Sequence, residues 1–269
     1  MIKHLKELWG YRDLVYNLVV RDLKVRYKNS LLGIFWSWLS PLLMMLIFTF
    51  VFGYIQRNNP IPSAHILFLS ALLPWNFFVG AVTGGTYSIV ANSHLVKKVY
   101  FPREVLPIAI VLASFVNFLI SLPVLLILMM VSGVPFTDKI LLLPIPILIE
   151  MFFATGMVLV LSTLEVFYRD THMLLDVGMQ AWFFLTPIIY NIRDLPKTYT
   201  LLGMTFNPQV WLFRLNPMAS IINTYQDILY HGELTALDFL ARTAVTAMIV
   251  LIFGYWFFRH FSGRFGEMA

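Results

Sequence analysis

Hydrophobic residues along the chain fall into long runs separated by short polar segments. The runs cover residues 31–53, 66–91, 105–131, 140–164, 173–192 and 239–258. Each is long enough to cross roughly 30 Å of hydrocarbon at about 1.5 Å per helical residue. The pattern therefore predicts an all-α integral membrane protein with six transmembrane helices. An even number of spans places both termini on the same side of the membrane.

The stretch from Arg21 to Gly53 contains the sharpest boundary in this pattern. Its first residues are rich in Lys and Arg, and no ionisable side chain occurs between Leu31 and Gly53. Upstream, residues 2–23 place apolar and charged positions at near-helical spacing, which is typical of an amphipathic helix in the lipid headgroup layer. An ordinary helix that packs against a partner would show the same spacing. We expect residues 1–30 to lead as an interface helix into the first span.

Positive charge is distributed unevenly between the two sides of the membrane. Under the six-span scheme, 13 of the 19 Lys and Arg residues lie in the N-terminal segment, the second and fourth loops and the C-terminal tail. Segments rich in Lys and Arg remain in the cytoplasm. Both termini are therefore predicted to be cytoplasmic, and we attribute the net charge of +5 to membrane orientation rather than to nucleic-acid binding.

The segment 193–238, between the fifth and sixth runs, is too long for a simple turn and too apolar for a solvated loop. Within it, Asn216 followed by Pro217 is typical of a helix start, because asparagine caps free backbone N–H groups and proline fits the first helical turn. We expect one or two short helices that re-enter the membrane or lie on its outer leaflet.

The chain lacks the common motifs of enzymes and nucleotide-binding proteins. It contains no G-x-x-x-x-G-K-[ST], H-E-x-x-H or G-x-S-x-G sequence, no cysteine, and six histidines too scattered for a metal site. We accordingly expect no catalytic residue, metal or cofactor in this chain. An enzyme acting on lipid-linked sugars would need converging carboxylates, which Glu165 and Asp176 do not obviously provide. Carboxylates within the runs are few, which favours a conduit powered by another subunit over an ion-coupled carrier.

Aromatic residues make up 16% of the chain and cluster in the first and fifth runs. The clusters consist of Phe35, Trp36, Trp38, Trp182, Phe183, Phe184 and Tyr190. On one helix, the residues that share a face with Phe183 are Asp176, Gln180, Pro187 and Tyr190. Such aromatics suit the interfacial belts of a membrane protein. They equally suit a path in which sugar rings stack on aromatic faces while sugar hydroxyls meet Gln180 and Tyr190.

The second loop combines basic and aromatic residues. Around Pro102 it carries His94, Lys97, Lys98, Tyr100, Phe101, Arg103 and Glu104. Basic loops anchor topology by themselves. An aromatic–proline centre also favours a short helix that docks in a groove of another subunit. The residues alone leave both interpretations open.

Several blocks of the sequence resemble one transporter family. The blocks are RDLKVRYKNSLLGIFWSWLSPLL, KKVYFPREVLPI, FYRD at 167–170, TPIIY at 186–190 and NPMASIINTYQDIL. In order and spacing across essentially the whole chain, they resemble the membrane subunit of ABC transporters that export lipid-linked polysaccharides, namely the O-antigen, capsule and teichoic-acid permeases. An ABC exporter of a smaller lipid or drug is the alternative, although it would not be expected to show FYRD and TPIIY together.

The resemblance implies one transmembrane domain, residues 1–269, in the bacterial inner (plasma) membrane. It implies a homodimer that binds two copies of a separate cytoplasmic ATPase, and ATP and Mg²⁺ belong to that ATPase. The implied substrate is a polysaccharide on an undecaprenyl carrier. Membrane lipids are further expected partners, whereas nucleic acid is not.

Roles for individual segments also follow from the resemblance. The implied segments are an interface helix at 1–30, five spans within 31–192, a coupling loop at 92–104, outer gate helices at 193–238, a sixth span at 239–258 and a cytoplasmic tail at 259–269. The implied ATPase-coupling residues are Arg21, Lys24, Arg26, His94, Lys97, Lys98, Tyr100, Phe101, Arg103 and Glu104. Spans one and five would form the conduit through Phe35, Trp36, Trp38, Thr49, Phe52, Gln180, Trp182, Phe183, Phe184 and Tyr190. We assign Arg169, Asp170 and Asp176 to a cytoplasmic gate.

Overall fold

The computed structural model describes residues 9–28, 30–55, 61–196, 198–201, 204–234 and 237–268. The helices are α1 (Arg12–Tyr27), α2 (Trp36–Phe48), α3 (Ala64–Ala91), α4 (Ser93–Lys98), α5 (Val105–Val131), α6 (Pro144–Phe167), α7 (Thr171–Phe184), α8 (Pro208–Leu215), α9 (Pro217–Gln226), α10 (Leu237–Ser262) and α11 (Phe265–Met268). Shorter 3₁₀ or π-helical segments are Gly33–Phe35, Thr49–Ile55, Asp138–Leu142, Ile192–Asp194 and Asp227–His231.

Five helical segments of the described chain are long and apolar enough to cross a membrane. They are Gly33–Phe52, Ala64–Ala91, Val105–Val131, Asp138–Phe167 and Leu237–Ser262. These segments coincide with the first, second, third, fourth and sixth predicted spans. The prediction of a helical membrane protein is therefore confirmed.

Helices α6 and α10 run in parallel, so the chain between them must cross back. At one end, Ile145 and Ala241 line the same pocket. In the middle, the backbone of Gly156 touches that of Gly254. At the other end, the rings of Phe167 and Phe261 lie 5.6 Å apart. In all three contacts, the residue number on α10 exceeds that on α6 by a nearly constant amount, which indicates that the helices are parallel. Residues 168–236, which connect them, therefore contain a return crossing of the membrane.

The return crossing begins with α7, which is shorter than the predicted span 173–192. Its 14 residues extend about 21 Å, less than the hydrocarbon thickness. The helix ends at Phe184 because Pro187 lacks a backbone N–H and disfavours helical geometry in the residue before it. Near its end, Phe183 packs against Trp75 of α3. Trp75 lies 11 residues after the start of α3, so about 16 Å of that helix extends beyond the contact. Segments after residue 184 therefore complete this crossing.

The segment that completes the crossing contains α8 and α9, which confirms the prediction of short helices between residues 193 and 238. Asn216 caps α9 as predicted, and its side chain accepts the N–H of Ala219. A small antiparallel hairpin precedes these helices and was not predicted. It pairs Tyr199–Leu201 with Met204–Phe206. Strands this short add only a local exception to the all-α architecture.

Helix α3 lies at the centre of the bundle, between α5 and α6, and most of its residues are buried. Its glycines permit this close packing: a Cβ at Gly84 would lie 3.0 Å from the Ile110 side chain, and one at Gly85 only 2.4 Å from Val158. Gly84 and Gly85, both in the second hydrophobic run, therefore let α5 and α6 approach α3 closely.

Helix α1 packs lengthwise along the first half of α5. Leu18 belongs to a cluster with Val105 at the start of α5. The Tyr27 hydroxyl donates a hydrogen bond to Asn117, which lies 12 residues farther along α5. The contacts of α1 therefore cover about 18 Å of α5, at about 1.5 Å per residue.

Candidate functional site

One end of the bundle, here called the α4 end, is formed by α4, residues 99–104 and the C-terminal segment 259–268. The Arg103 guanidinium donates a hydrogen bond to the Ser262 carbonyl and lies 6.0 Å from the Phe265 ring centre. Arg259 Nε lies 3.8 Å from the Glu104 carboxylate. These contacts hold the predicted coupling loop against the C-terminal segment, which was predicted only as a tail.

The predicted coupling residues of this loop divide into two groups. His94, Lys97, Lys98 and Tyr100 are exposed, and Tyr100 has 92% of its surface accessible. Phe101 and Glu104 are buried, and Arg103 is half-buried, so these three side chains hold the loop in place. Residues 96–104 line a cleft of about 520 Å³ together with Arg259, Ser262 and Gly263.

The basic residues of α1 also differ in their surroundings. Arg21 Nη2 donates to Asn92 Oδ1 at 3.1 Å and so links α1 to the end of α3. Arg26 lies 3.6 Å from the Asp22 carboxylate one turn earlier. Lys24 is exposed on the outer side of the helix.

A polar cluster connects α1 and α2 to α5. The Tyr27 hydroxyl hydrogen-bonds to both Ser37 and Asn117. Ser37 Oγ also donates to Asn117 Oδ1 at 2.7 Å. The Trp38 indole N–H donates to the Ile120 carbonyl at 2.8 Å. Sequence reasoning missed this cluster, because a single asparagine in a hydrophobic run does not reveal its partners.

The predicted conduit residues of the first span differ in their exposure and contacts. Phe35 and Trp36 are exposed at the start of α2, whereas Trp38 is held by its hydrogen bond to α5. The Thr49 hydroxyl is buried without a hydrogen-bond partner among the described residues. Phe52 packs against Phe48, with ring centres 5.9 Å apart.

The predicted stripe of the fifth span does not lie on one face. Asp176, Gln180 and Phe184 are exposed, and Phe184 has 65% of its surface accessible. Phe183 instead points inward and packs on Phe48 and Trp75 at 5.9 and 5.7 Å. Tyr190 is half-buried and lies beyond the end of α7. The predicted stripe assumed an unbroken helix, which Pro187 interrupts.

Trp182 is mainly a packing residue. Its ring lies 5.4 Å from Phe78 and 6.3 Å from Phe153, and its N–H donates to Asn216 Oδ1 at 2.8 Å. Trp182 also borders an apolar pocket of about 590 Å³ between α7 and α8, together with Trp211. A stacking surface for sugars would need an open ring face, so the exposed Phe184 fits that role better than Trp182.

Asn216 joins the end of α7 to the start of α9. Its Nδ2 donates to the Leu185 carbonyl and to Thr186 Oγ1, both at 3.0 Å. Its Oδ1 accepts from the Trp182 indole at 2.8 Å and from the Ala219 N–H at 3.3 Å. The side chain is buried and uses all its hydrogen-bonding capacity. Its role as a cap was predicted, but its contacts with α7 were not.

A charged cluster joins Arg193 to the residues that follow α9. Arg193 Nη2 lies 2.9 Å from the buried Asp227 carboxylate and 3.1 Å from Glu233. Asn223 donates to the other Asp227 oxygen at 2.9 Å. Burial lowers the pKa of the adjacent His231, and the positive charge of Arg193 lowers that pKa further against the opposing effect of the carboxylates. The positively charged form of His231 is thus disfavoured in the folded protein.

The predicted gate residues lie at the turn between α6 and α7. Arg169, Asp170 and Asp176 are all exposed. Next to them, the buried Glu165 accepts hydrogen bonds from the His172 backbone N–H at 2.9 Å and pairs with its ring Nδ1 at 2.8 Å. Glu165 therefore caps the start of α7. In the described part of the chain, no three His, Asp or Glu side chains converge as a metal site requires.

Comparison with known proteins shows which family this sequence matches. The family model described as ABC-2 type transporter matches residues 13–230. The chain is 34% identical to an O-antigen export system permease protein RfbA of Myxococcus xanthus, over 93% of each chain. It is 30% identical to an RfbA of Klebsiella pneumoniae over 95% of each chain. It is 25% identical to the polysialic acid transport protein KpsM of Escherichia coli, over 87% of this chain and 89% of KpsM. This chain belongs to the ABC-2 type transporter family of membrane proteins.

Proposed function

We propose that this chain is the membrane permease subunit of an ATP-driven exporter of lipid-linked polysaccharide. The exposed face of α7 carries the argument, because Asp176 and Gln180 share it with Phe184. A carboxylate and an amide are costly next to lipid tails, so this face suits water, sugar hydroxyls or another subunit. Relatives named for O-antigen export match nearly the whole chain, which favours that class of polysaccharide.

We further propose a homodimer in which two copies enclose the conduit. Phe48 of α2 contacts Phe183 of α7 at 5.9 Å, so these helices form one continuous wall. The outward side of this wall exposes Leu43, Ile47 and Phe184. A second copy facing this wall would cover its apolar residues and leave Gln180 toward an enclosed path. An undecaprenyl-linked polysaccharide would then slide along weak, repeated contacts.

The partner ATPase would dock at the α4 end, which this proposal places in the cytoplasm of the bacterial cell. Lys97, Lys98 and Tyr100 are exposed there beside the cleft of about 520 Å³. Two ATPase copies would bind ATP and Mg²⁺, because this chain carries no nucleotide-binding loop. Closure of the ATPases would push on the coupling loop and, through its contacts with residues 259–268, on α10.

Export should depend on the exposed face of α7. The variant with Gln180→Leu and Phe184→Ala is expected to slow export about tenfold, which corresponds to about 1.4 kcal/mol in the transport barrier. The measurement is the amount of surface polysaccharide made in cells that lack the native permease. Phe253→Ala provides the control, since Phe253 is exposed on α10 away from this wall. Normal export by the α7 variant, at equal protein level, would contradict the conduit.

ATPase docking should depend on the exposed half of the coupling loop. Changing Lys97 and Lys98 to Glu together with Tyr100→Ala is expected to reduce copurification of the ATPase at least about tenfold, since central aromatic and basic contacts dominate such interfaces. Lys139→Glu, a single charge reversal on the opposite side in this scheme, is the control for charge reversal elsewhere on the protein. Unchanged copurification and export in the triple variant would show that the ATPase docks elsewhere.

A further inference from the structure

The outward side of α1 carries a shallow groove of basic and aliphatic residues. The groove is lined by Asn17, Val20, Arg21, Lys24, Val25 and Lys28. No carboxylate lies among these residues. The nearest acidic neighbour in sequence, Asp22, pairs with Arg26 instead. The groove therefore presents three cations, and charge complementarity calls for an anionic ligand.

The groove extends from Arg21, which hydrogen-bonds to Asn92 beside α4, toward the start of the first span. Tyr27 bonds to Asn117 and Ser37, so the end of α1 lies where the first span begins. The coupling loop adjoins Val105, 12 residues earlier on α5, or about 18 Å lower. Lys24 and Lys28 therefore lie beside the first half of α5, next to the start of the first span.

Apolar residues continue directly from the groove toward the membrane. Leu31, Leu32, Phe35 and Trp36 are exposed in the turn that connects α1 to α2. A basic surface followed by exposed apolar and aromatic side chains matches the order of parts in a phospholipid, which has an anionic headgroup above acyl chains. A soluble partner protein would leave this apolar turn unmatched.

We propose that the groove of α1 binds the phosphate headgroup of an anionic phospholipid. Arg21, Lys24 and Lys28 contact the phosphate, and the acyl chains lie against Leu31 and Phe35. This assignment takes Arg21 and Lys24 away from the set of predicted ATPase contacts. It is independent of which polysaccharide is exported. Tyr27, the residue before Lys28, hydrogen-bonds to Ser37 and Asn117, so a lipid bound to Lys28 would also hold the start of the first span in place.

The test compares lipid retention by the purified full chain in detergent. Native mass spectrometry of the protein with phosphatidylglycerol or phosphatidylcholine is expected to show preferential retention of phosphatidylglycerol. Lys24→Glu with Lys28→Glu is expected to reduce that retention at least about tenfold, since each basic residue contributes comparably to binding of anionic lipid. Lys97→Glu with Lys98→Glu, an equal charge change on the coupling loop, is expected to leave it unchanged.

Three outcomes would overturn the assignment. One is equal retention of both phospholipids by the wild-type protein. Another is loss of ATPase copurification in the Lys24 and Lys28 variant with phosphatidylglycerol retention intact, which would make the groove an ATPase surface. The third is that the charge-reversed protein still retains phosphatidylglycerol but no longer retains a polyprenyl phosphate. That result would assign the groove to the lipid carrier. Lys24→Gln with Lys28→Gln distinguishes lost attraction from new repulsion, and both lysines are exposed, so folding is preserved.

Discussion

Gly254→Val is expected to prevent the accumulation of folded protein. A Cβ at this position would lie 2.3 Å from the carbonyl oxygen of Gly156 and 3.2 Å from its Cα. The opposing atoms belong to the backbone, so no side chain can rotate to make room. Helices α6 and α10 would have to separate along their whole contact. Overpacking usually costs about 1–3 kcal/mol, and this site belongs at or above the upper end of that range.

The comparison that isolates this effect uses other glycines. Gly178→Val is the control for the loss of glycine itself, because nothing lies within 4 Å of the position where its Cβ would be built. Gly156→Val should behave like Gly254→Val, since its Cβ would lie 2.6 Å from the Leu251 backbone nitrogen. The measurement is the yield of monodisperse protein and its thermal unfolding midpoint in detergent. Wild-type yield and stability of the Gly254 variant would disprove the backbone contact.

Asn216→Ala is expected to abolish most export while the ATPase still associates. The substitution leaves the Trp182 indole N–H and the Leu185 carbonyl without this partner, whereas the Ala219 N–H keeps the Asn216 backbone carbonyl at 3.1 Å. Each buried polar group left unsatisfied costs about 1–3 kcal/mol. These costs fall on the junction between α7 and α9, far from the α4 end. We therefore expect export to fall by about tenfold or more with the docking surface intact.

Two further variants test whether the hydrogen bonds of the Asn216 side chain cause the effect. Asn216→Asp keeps the acceptor for Trp182 and Ala219 but loses the donor to Leu185, so its export should lie between those of wild type and Asn216→Ala. Asn207→Ala removes only a helix cap, the acceptor for the Gln209 and Val210 N–H groups, at about 1 kcal/mol. Surface polysaccharide and ATPase copurification are measured on the same cells. Equal export by the Asn216→Ala and Asn207→Ala variants would contradict the special role of Asn216.

Local sequence was sufficient for the long spans and the start of α9. A membrane interior offers backbone groups no water, so an apolar run of sufficient length must form a helix. Runs such as 105–131 and 239–258 therefore match their helices closely. The asparagine–proline start of α9 was equally predictable, because capping depends on residues within a few positions of each other.

The candidate site was predictable only in part, because a sequence does not show which side of a residue is covered. Trp182 and Phe184 are two residues apart and equally aromatic, yet one packs against Phe78 and Phe153 while the other is exposed. Within the coupling loop, Tyr100 is exposed and the neighbouring Phe101 is buried. Neighbouring helices decide these differences, and those helices come from distant parts of the chain.

By itself, then, the sequence determined that this chain is a helical membrane protein, where most of its spans lie and which segments are basic. Those properties follow from the hydrophobicity and charge of adjacent residues. Only the tertiary structure decided that Asn216 fastens the end of α7 to α9 and that the C-terminal segment supports the coupling loop. Both depend on contacts between residues more than 30 positions apart, which local patterns of hydrophobicity do not encode.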